Sequence, residues 1–235
     1  MLVRSQGNRV LFFQDELDAQ ITPAYFDGDY WQEKGAIIGS AFGRGVTWFF
    51  KLSGGEYVLR HYRRGGLIGK ILTDGYCYTG LKSTRAYQEF MVTQQLLELG
   101  LPVPKPMAGQ VIKRGLYYQA DLITAKIAGA RDLVKMLSHG ALSEQEYYAI
   151  GKMVRDFHDA GLYHADLNIH NIILDENNKL WLIDFDRCQF KKPDDVWKKS
   201  NLDRLKRSFL KESKKIEQFS WQESDWQYLL TGYEN

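Results

Sequence analysis

At 235 residues the chain is long enough to bury a substantial core, as one compact domain or as two closely joined lobes. Its two cysteines, Cys77 and Cys188, stand far apart without Cys-x-x-Cys or Cys/His spacing, which argues against a disulfide framework or a zinc module and fits a reducing compartment. The formal net charge of +2 is too balanced for a generic nucleic-acid binder. The N-terminal stretch MLVRSQGNRVLFFQDELDA has no signal-peptide h-region, and no apolar run is long enough to span a bilayer, so the chain reads as cytoplasmic.

In chain order, the first third reads as strands. Val46 to Phe50 and Tyr57 to Leu59 are β-branched and aromatic, and Gly54-Gly55 stands where a hairpin turns, which predicts an antiparallel sheet. STRAYQEFMVTQQLLELG then reads as a helix, with Ser83 as cap, with Tyr87, Phe90, Met91 and Leu97 on one face, and with Gly100 and Pro102 ending it. LPVPKP is an extended connector, and GLYYQADLITAKI alternates as a strand pair or as one strand leading into a linker. Ser143 and Glu146 make a capping box for a helix whose Tyr147, Ile150, Val154 and Phe157 share a face, closed by Gly161. Ile172 to Leu174 and Leu180 to Ile183 form a hairpin about an Asp175 to Asn178 turn. A basic helical segment rich in Trp and Tyr ends the chain, with ten Lys or Arg against four Asp or Glu from Lys191 to Lys215. Arg60, His61, Arg63, Arg64 and Lys70 form a second basic cluster, and both clusters are suited to phosphates.

The stretch HADLNIHN before the hairpin, and IDFD after it, carry the chemistry. Asp166 precedes the first strand, Asn171 enters it and Asp184 leaves the second, so a tight hairpin brings three oxygen-bearing side chains to one end. Asn171 and Asp184 are hard oxygen ligands suited to Mg²⁺, which takes its remaining ligands from water and substrate phosphates. Asp166, held off the metal, would orient a hydroxyl nucleophile and accept its proton. The order D-x-x-x-x-N, apolar strand pair, D-F is the protein-kinase catalytic arrangement.

Upstream, Gly39, Gly43 and Gly45 lie between two strand-like runs, where glycines let backbone N–H groups approach phosphates, although their spacing departs from G-x-G-x-x-G. Val58-Leu59-Arg60 stands where V-A-I-K is expected, which makes Arg60 the phosphate-facing cation with Glu89 as its helix partner; Lys51 or a neighbouring basic residue is the alternative. His164 reads as a support of the loop. His170 is either a substrate contact or a solvated loop residue, and Asp186 either a further metal ligand or a loop carboxylate.

VLRHYRRGG, the helix around Gln88-Glu89-Phe90, GLPVPKP, HADLNIHN and LIDFDRC together resemble the lipopolysaccharide kinase family, from about Gly35 to the basic C-terminal segment. The resemblance implies an α+β, reduced protein-kinase-like bilobal fold: an antiparallel-sheet N-lobe over residues 1–120 and a mainly helical C-lobe over 121–235, with a hinge near Gln119 to Thr124. It also implies ATP and Mg²⁺ as cofactors and transfer of phosphate to the 4-hydroxyl of the Kdo sugar on a lipid A precursor, at the cytoplasmic face of the inner membrane of a Gram-negative bacterium. Only about fifty residues follow Asp184 and no A-P-E occurs, which leaves little room for a peptide-substrate platform. Lys198, Lys199, Arg204, Lys206, Arg207, Lys211, Lys214 and Lys215, interleaved with Trp197 and Phe209, then either hold the chain on an anionic membrane or dock as a helix on the C-lobe. Two rival functions stay open: a soluble phosphotransferase of aminoglycoside or choline kinase type, and an inactive nucleotide-binding scaffold.

Overall fold

The computed structural model describes residues 1–17, 21–42, 45–63 and 75–235. The chain mixes antiparallel sheets with helices and divides into two compact units, Met1–Gln94 with Pro104–Lys126, and Gln95–Val103 with Ile127–Asn235.

The first unit is built on one antiparallel sheet. Its strands are β1 (Leu2–Gln6), β2 (Arg9–Phe13), β3 (Ile37–Phe42), β4 (Val46–Leu52), β5 (Gly55–His61), β6 (Tyr76–Cys77), β7 (Pro106–Arg114) and β8 (Tyr117–Ala125). The order is β1-β2-β7-β8-β5-β4-β3, with β6 also on β8. Because successive side chains point to opposite faces, Leu11 and Phe13 enter one core with Trp31, Phe50 and Ile123, whereas Phe12 between them enters the other with Phe90 and Leu122. Helix α1 (Gly28–Glu33) lays Trp31 on Phe50 with ring centroids 4.1 Å apart. Helix α2 (Arg85–Glu98) covers the opposite face through Ala86 and Phe90. Phe12 lies across from Gly109, where a methyl group would overlap its ring, so the close approach requires glycine.

The β4–β5 hairpin turns one residue earlier than expected, with Ser53 (φ 48°) and Gly54 (φ 82°) both left-handed, as a turn matching the twist of its strands demands, while Gly55 already pairs with Leu52 in the ladder. Other details differ. Met91 is exposed, and the buried side of α2 runs through Ala86, Glu89, Phe90, Thr93 and Leu96; Ser83 sits in a short 3₁₀ turn before Thr84 rather than at the cap. The division expected at residue 120 and the hinge expected at Gln119 to Thr124 both fall inside β8. That strand's ladders to β5 and β7 run on to Ala125 and Thr124, so the chain leaves the sheet only at Lys126.

The second unit consists of β9 (Arg131–Asp132), α3 (Leu133–Leu137), α4 (Glu144–Asp159), β10 (Leu162–Tyr163), β11 (Ile172–Leu174), β12 (Leu180–Leu182), β13 (Gln189–Phe190), α5 (Asp195–Lys215) and α6 (Asp225–Glu234). The Ser143–Glu146 capping box forms in both directions, and Gly161 at φ 82° turns the chain out of α4. Helices α4 and α6 meet backbone to backbone, since a methyl on Gly151 would strike the Leu229 carbonyl and one on Gly232 the Tyr148 carbonyl. In α5 the buried positions are Trp197, Asn201, Leu205, Phe209 and Glu212, a stripe at helical spacing, and Phe209 stacks on Trp221. Trp197 and Phe209 are therefore core residues. Of the two readings of the basic segment, docking on its own unit is the one the structure shows for these aromatics. No helix among the described residues is long and apolar enough to cross a membrane.

Candidate active site

The loop His164 to Asn171 joins β10 to β11 and is held largely by backbone contacts. Asp166 N–H donates to Nδ1 of His164 at 3.2 Å, which leaves the proton on Nε2, and that nitrogen faces the Ile183 carbonyl at 3.2 Å. Burial, the largest influence, holds the His164 imidazole below its usual pKa and so neutral. With both ring nitrogens engaged by main chain, His164 braces the loop instead of moving a proton. Its ring edge also meets Phe185, itself buried.

The hairpin register sets the metal-ligand candidates. Ile172 pairs with Leu182, and one step further Ile183 N–H donates to the Asn171 carbonyl at 3.0 Å, so Asn171 and Asp184 leave the hairpin at the same end. The Asn171 side-chain N–H donates to the Asp166 carbonyl at 2.9 Å. That bond turns Asn171 Oδ1 outward, without a protein partner among the described residues. Asp184 is left-handed at φ 63°, a backbone conformation that Asp tolerates better than most residues but that still stores strain, of the kind found where a structure aims a functional side chain. Among the described residues no group of three His, Cys, Asp or Glu could hold a metal by itself. One amide and one carboxylate nevertheless fit Mg²⁺, which relies on water and phosphate oxygens for the rest of its shell.

Helix α5 supports the loop through Asn201 and Ser208, which the sequence does not single out, and through Arg204, which it offers only as one cation of the basic segment. Asn201, 1% exposed, accepts from His164 N–H and donates to His164 C=O, each at 3.1 Å, much as a neighbouring strand would. Ser208 accepts from Ile169 N–H at 3.1 Å. Arg204 donates from Nε to the Ala165 carbonyl at 3.2 Å and places Nη2 3.3 Å from the Asp166 carboxylate. Cys188 Sγ accepts from Ala165 N–H at 3.3 Å. Asn201, Arg204 and Ser208 fall at i, i+3 and i+7, hence on one side of the helix. A legible signal was Asn201 itself, a polar residue at a position where the spacing of Trp197, Leu205 and Phe209 calls for an apolar one. His170 is bracketed by carboxylates, with Nδ1 3.4 Å from Asp132 and Nε2 3.5 Å from Glu212. Burial works against ionisation of Glu212, but hydrogen bonds from Lys215 and His170 outweigh it and keep the carboxyl below its ordinary pKa.

In the first unit, Glu89 is a buried acceptor and not an exposed helix glutamate. Arg60 Nη2 lies 2.5 Å from its carboxylate, and the Tyr62 hydroxyl donates to it as well. Lys51, the alternative cation, pairs instead with Glu56 at 3.3 Å, beside the hairpin turn, whereas Arg60 lies opposite Thr47 at the other end of the same ladder. His61 is engaged by Asp121 at 2.6 Å. Gly39 lies within β3, at a register shift between Ile37 and Gly39, so it belongs to the strand and not to a loop. The Arg63 side chain runs over Gly45, occupying the space that a Cβ there would need. Gly43, and Arg64 and Lys70 of the basic cluster, lie outside the described residues.

A carboxylate on a braced loop, an amide turned outward five residues later and a carboxylate at the return of the hairpin define a phosphotransferase with a hydroxyl acceptor, a kinase. Residues 28–233 match the model of the lipopolysaccharide kinase (Kdo/WaaP) family. A 3-deoxy-D-manno-octulosonic acid kinase of Vibrio parahaemolyticus is 46% identical over 223 residues, covering 95% of this chain and 93% of its own. One from Vibrio cholerae is 48% identical over 208 residues, 88% of each chain, and one from Actinobacillus succinogenes is 43% identical along the full length of both. The chain belongs to the lipopolysaccharide kinase (Kdo/WaaP) family.

Proposed function

We propose that the chain transfers the γ-phosphoryl group of ATP to the 4-hydroxyl of 3-deoxy-D-manno-octulosonic acid, Kdo, carried on a lipid A precursor, in lipopolysaccharide core biosynthesis. The observation that carries this reading is the hairpin register, with Asn171 opposite Ile183 and bonded through its amide to the Asp166 carbonyl. In it Asp166 holds the acceptor hydroxyl and takes its proton as the oxygen attacks phosphorus. Asn171 Oδ1 and the Asp184 carboxylate would hold Mg²⁺, which when bound neutralises phosphate charge. The sheet unit is read as the nucleotide-binding lobe of a reduced protein-kinase-like fold. There Arg60, kept in one orientation by Glu89, would clamp phosphate, and Gly45, after β3, would offer a backbone N–H group. The Arg60–Glu89 pair retains the charge arrangement of the usual lysine–glutamate pair, which weakens the case for an inactive scaffold. Because the acceptor is lipid-linked, the protein would work as a peripheral protein at the cytoplasmic face of the inner membrane. The outward cations of α5, Lys199, Arg207, Lys211 and Lys214, would face anionic headgroups there.

The test is Mg²⁺-dependent transfer of labelled γ-phosphate to Kdo-bearing lipid A precursor, beside free Kdo, choline and an aminoglycoside. The expected result is labelling of the glycolipid, reduced in Asp166→Asn by about 10²- to 10⁴-fold, the usual worth of a positioned general base. Labelling of choline or the aminoglycoside instead would reassign the acceptor, and ATP binding without transfer to anything would make the chain a scaffold.

A further inference from the structure

We propose that Arg204 recognises the acceptor's own carboxylate. The inference rests on the reading of the acceptor as an ulosonic acid, which carries a negative charge on the sugar that presents the hydroxyl. A hydroxyl seated on Asp166 brings that carboxylate within one sugar ring of Asp166's own, and with Asp184 returned by the hairpin to the end where Asn171 stands and phosphates entering the same chemistry, the site repels its substrate unless a cation intervenes.

Arg204 is the cation that the structure records on Asp166, with Nη2 at 3.3 Å. One edge of its guanidinium is anchored to the loop. Asn201 and Ser208, on the same side of α5, are bonded to the loop backbone on either side of Asp166, and Arg204 Nε is tied to the Ala165 carbonyl. Its outer edge is open, because Nη1 has no protein partner among the described residues and the side chain is 43% exposed. A pair this exposed contributes little to stability, about 0–1 kcal/mol, so fold stability gives no strong reason for an arginine here. The planar guanidinium, fixed at one edge and open at the other, suits a carboxylate held by two parallel hydrogen bonds, which a lysine ammonium would not match. Arg204 thus has two tasks: it positions Asp166 and it selects an acid as acceptor.

The experiment compares the Kdo-bearing lipid A precursor with the same glycolipid as its Kdo methyl ester, using wild type, Arg204→Gln and Arg204→Lys, with thermal melting and ATP affinity as controls on folding. Wild type should prefer the acid by about 10- to 100-fold in kcat/KM, the usual range for a hydrogen bond to a charged group. Arg204→Gln should lose most of that preference by slowing on the acid far more than on the ester. Arg204→Lys should restore part of it. Equal use of acid and ester by wild type overturns the proposal, and so does an Arg204→Gln variant slowed on both by the same factor, since Arg204 would then act on Asp166 alone. Transfer to neither glycolipid by wild type, while a soluble acceptor is labelled, overturns the functional reading and this inference with it.

Discussion

Asn201→Ala should damage the loop from beneath. Asn201 is 1% exposed and makes two 3.1 Å hydrogen bonds to the backbone of His164, which is equally buried. Removing the carboxamide leaves one N–H and one C=O buried without a partner, at about 1–3 kcal/mol each. The sum, about 2–6 kcal/mol, corresponds to a melting temperature lower by about 4–24 °C for a chain of this size. Urea unfolding followed by tryptophan fluorescence measures it, and the rate of phosphoryl transfer should fall more than ATP affinity, because the sheet unit is untouched. Asn201→Asp supplies a sharper comparison. At pH 8 its carboxylate keeps the bond from His164 N–H but sets an oxygen against the His164 carbonyl, in a site where burial disfavours the charge. Burial raises the folded pKa of such an Asp above its unfolded value, so protonation on lowering the pH restores a donor and shrinks the deficit relative to wild type at the same pH. An Asn201→Asp variant as stable as wild type at pH 8 would refute the reasoning.

Three further outcomes are expected. His158, 1% exposed, is held by burial, with a lesser push from Lys198, at about 4 against an ordinary 6.5. Because the folded value lies below the unfolded one, the stability is complete above pH 6.5 and declines toward pH 4, by about 2 kcal/mol at pH 5 from this residue, with His164 acting in the same direction; identical urea midpoints at pH 7 and pH 5 would contradict it. Glu89→Gln keeps the side chain's shape but removes the charge beside Arg60 and Tyr62, and should cost about 1–3 kcal/mol and weaken ATP binding, read by calorimetry. Reversing Lys199, Arg207, Lys211 and Lys214 to Glu should reduce sedimentation with phosphatidylglycerol vesicles while leaving the melting temperature within about 2 °C, since these side chains are exposed on α5; equal sedimentation of variant and wild type would remove α5 as the membrane-facing surface.

Several local elements, the hairpin of the candidate site among them, were legible in the sequence because their information is short-range. The capping box at Ser143 and Glu146, the turn at Gly54, the apolar strands about Asp175 to Asn178 and the spacing from Asp166 to Asn171 to Asp184 are short-range patterns whose geometry follows from hydrogen bonding within a few residues. The early strands were less legible. β1 and β2 reach their place only through pairing of β2 with β7, about a hundred residues later, and no local pattern announces such a partner. β8 likewise read as one of two possible elements until its ladders to β5 and β7 were seen to run through residue 120.

What the sequence determined by itself was the family, and the carboxylates and amide of the candidate site with their order along the chain. What only the tertiary structure decided was which side chains hold that chemistry in place. The burial of Glu89 against Arg60 and Tyr62, the pairing of Arg60 with Glu89 while Lys51 pairs with Glu56, and the use of α5 as the support beneath His164 to Ile169 all depend on the folded packing. The physical reason is that a side chain's charge and hydrogen-bonding capacity are written in its type, whereas its burial and its partners are set by which distant surface the fold presses against it.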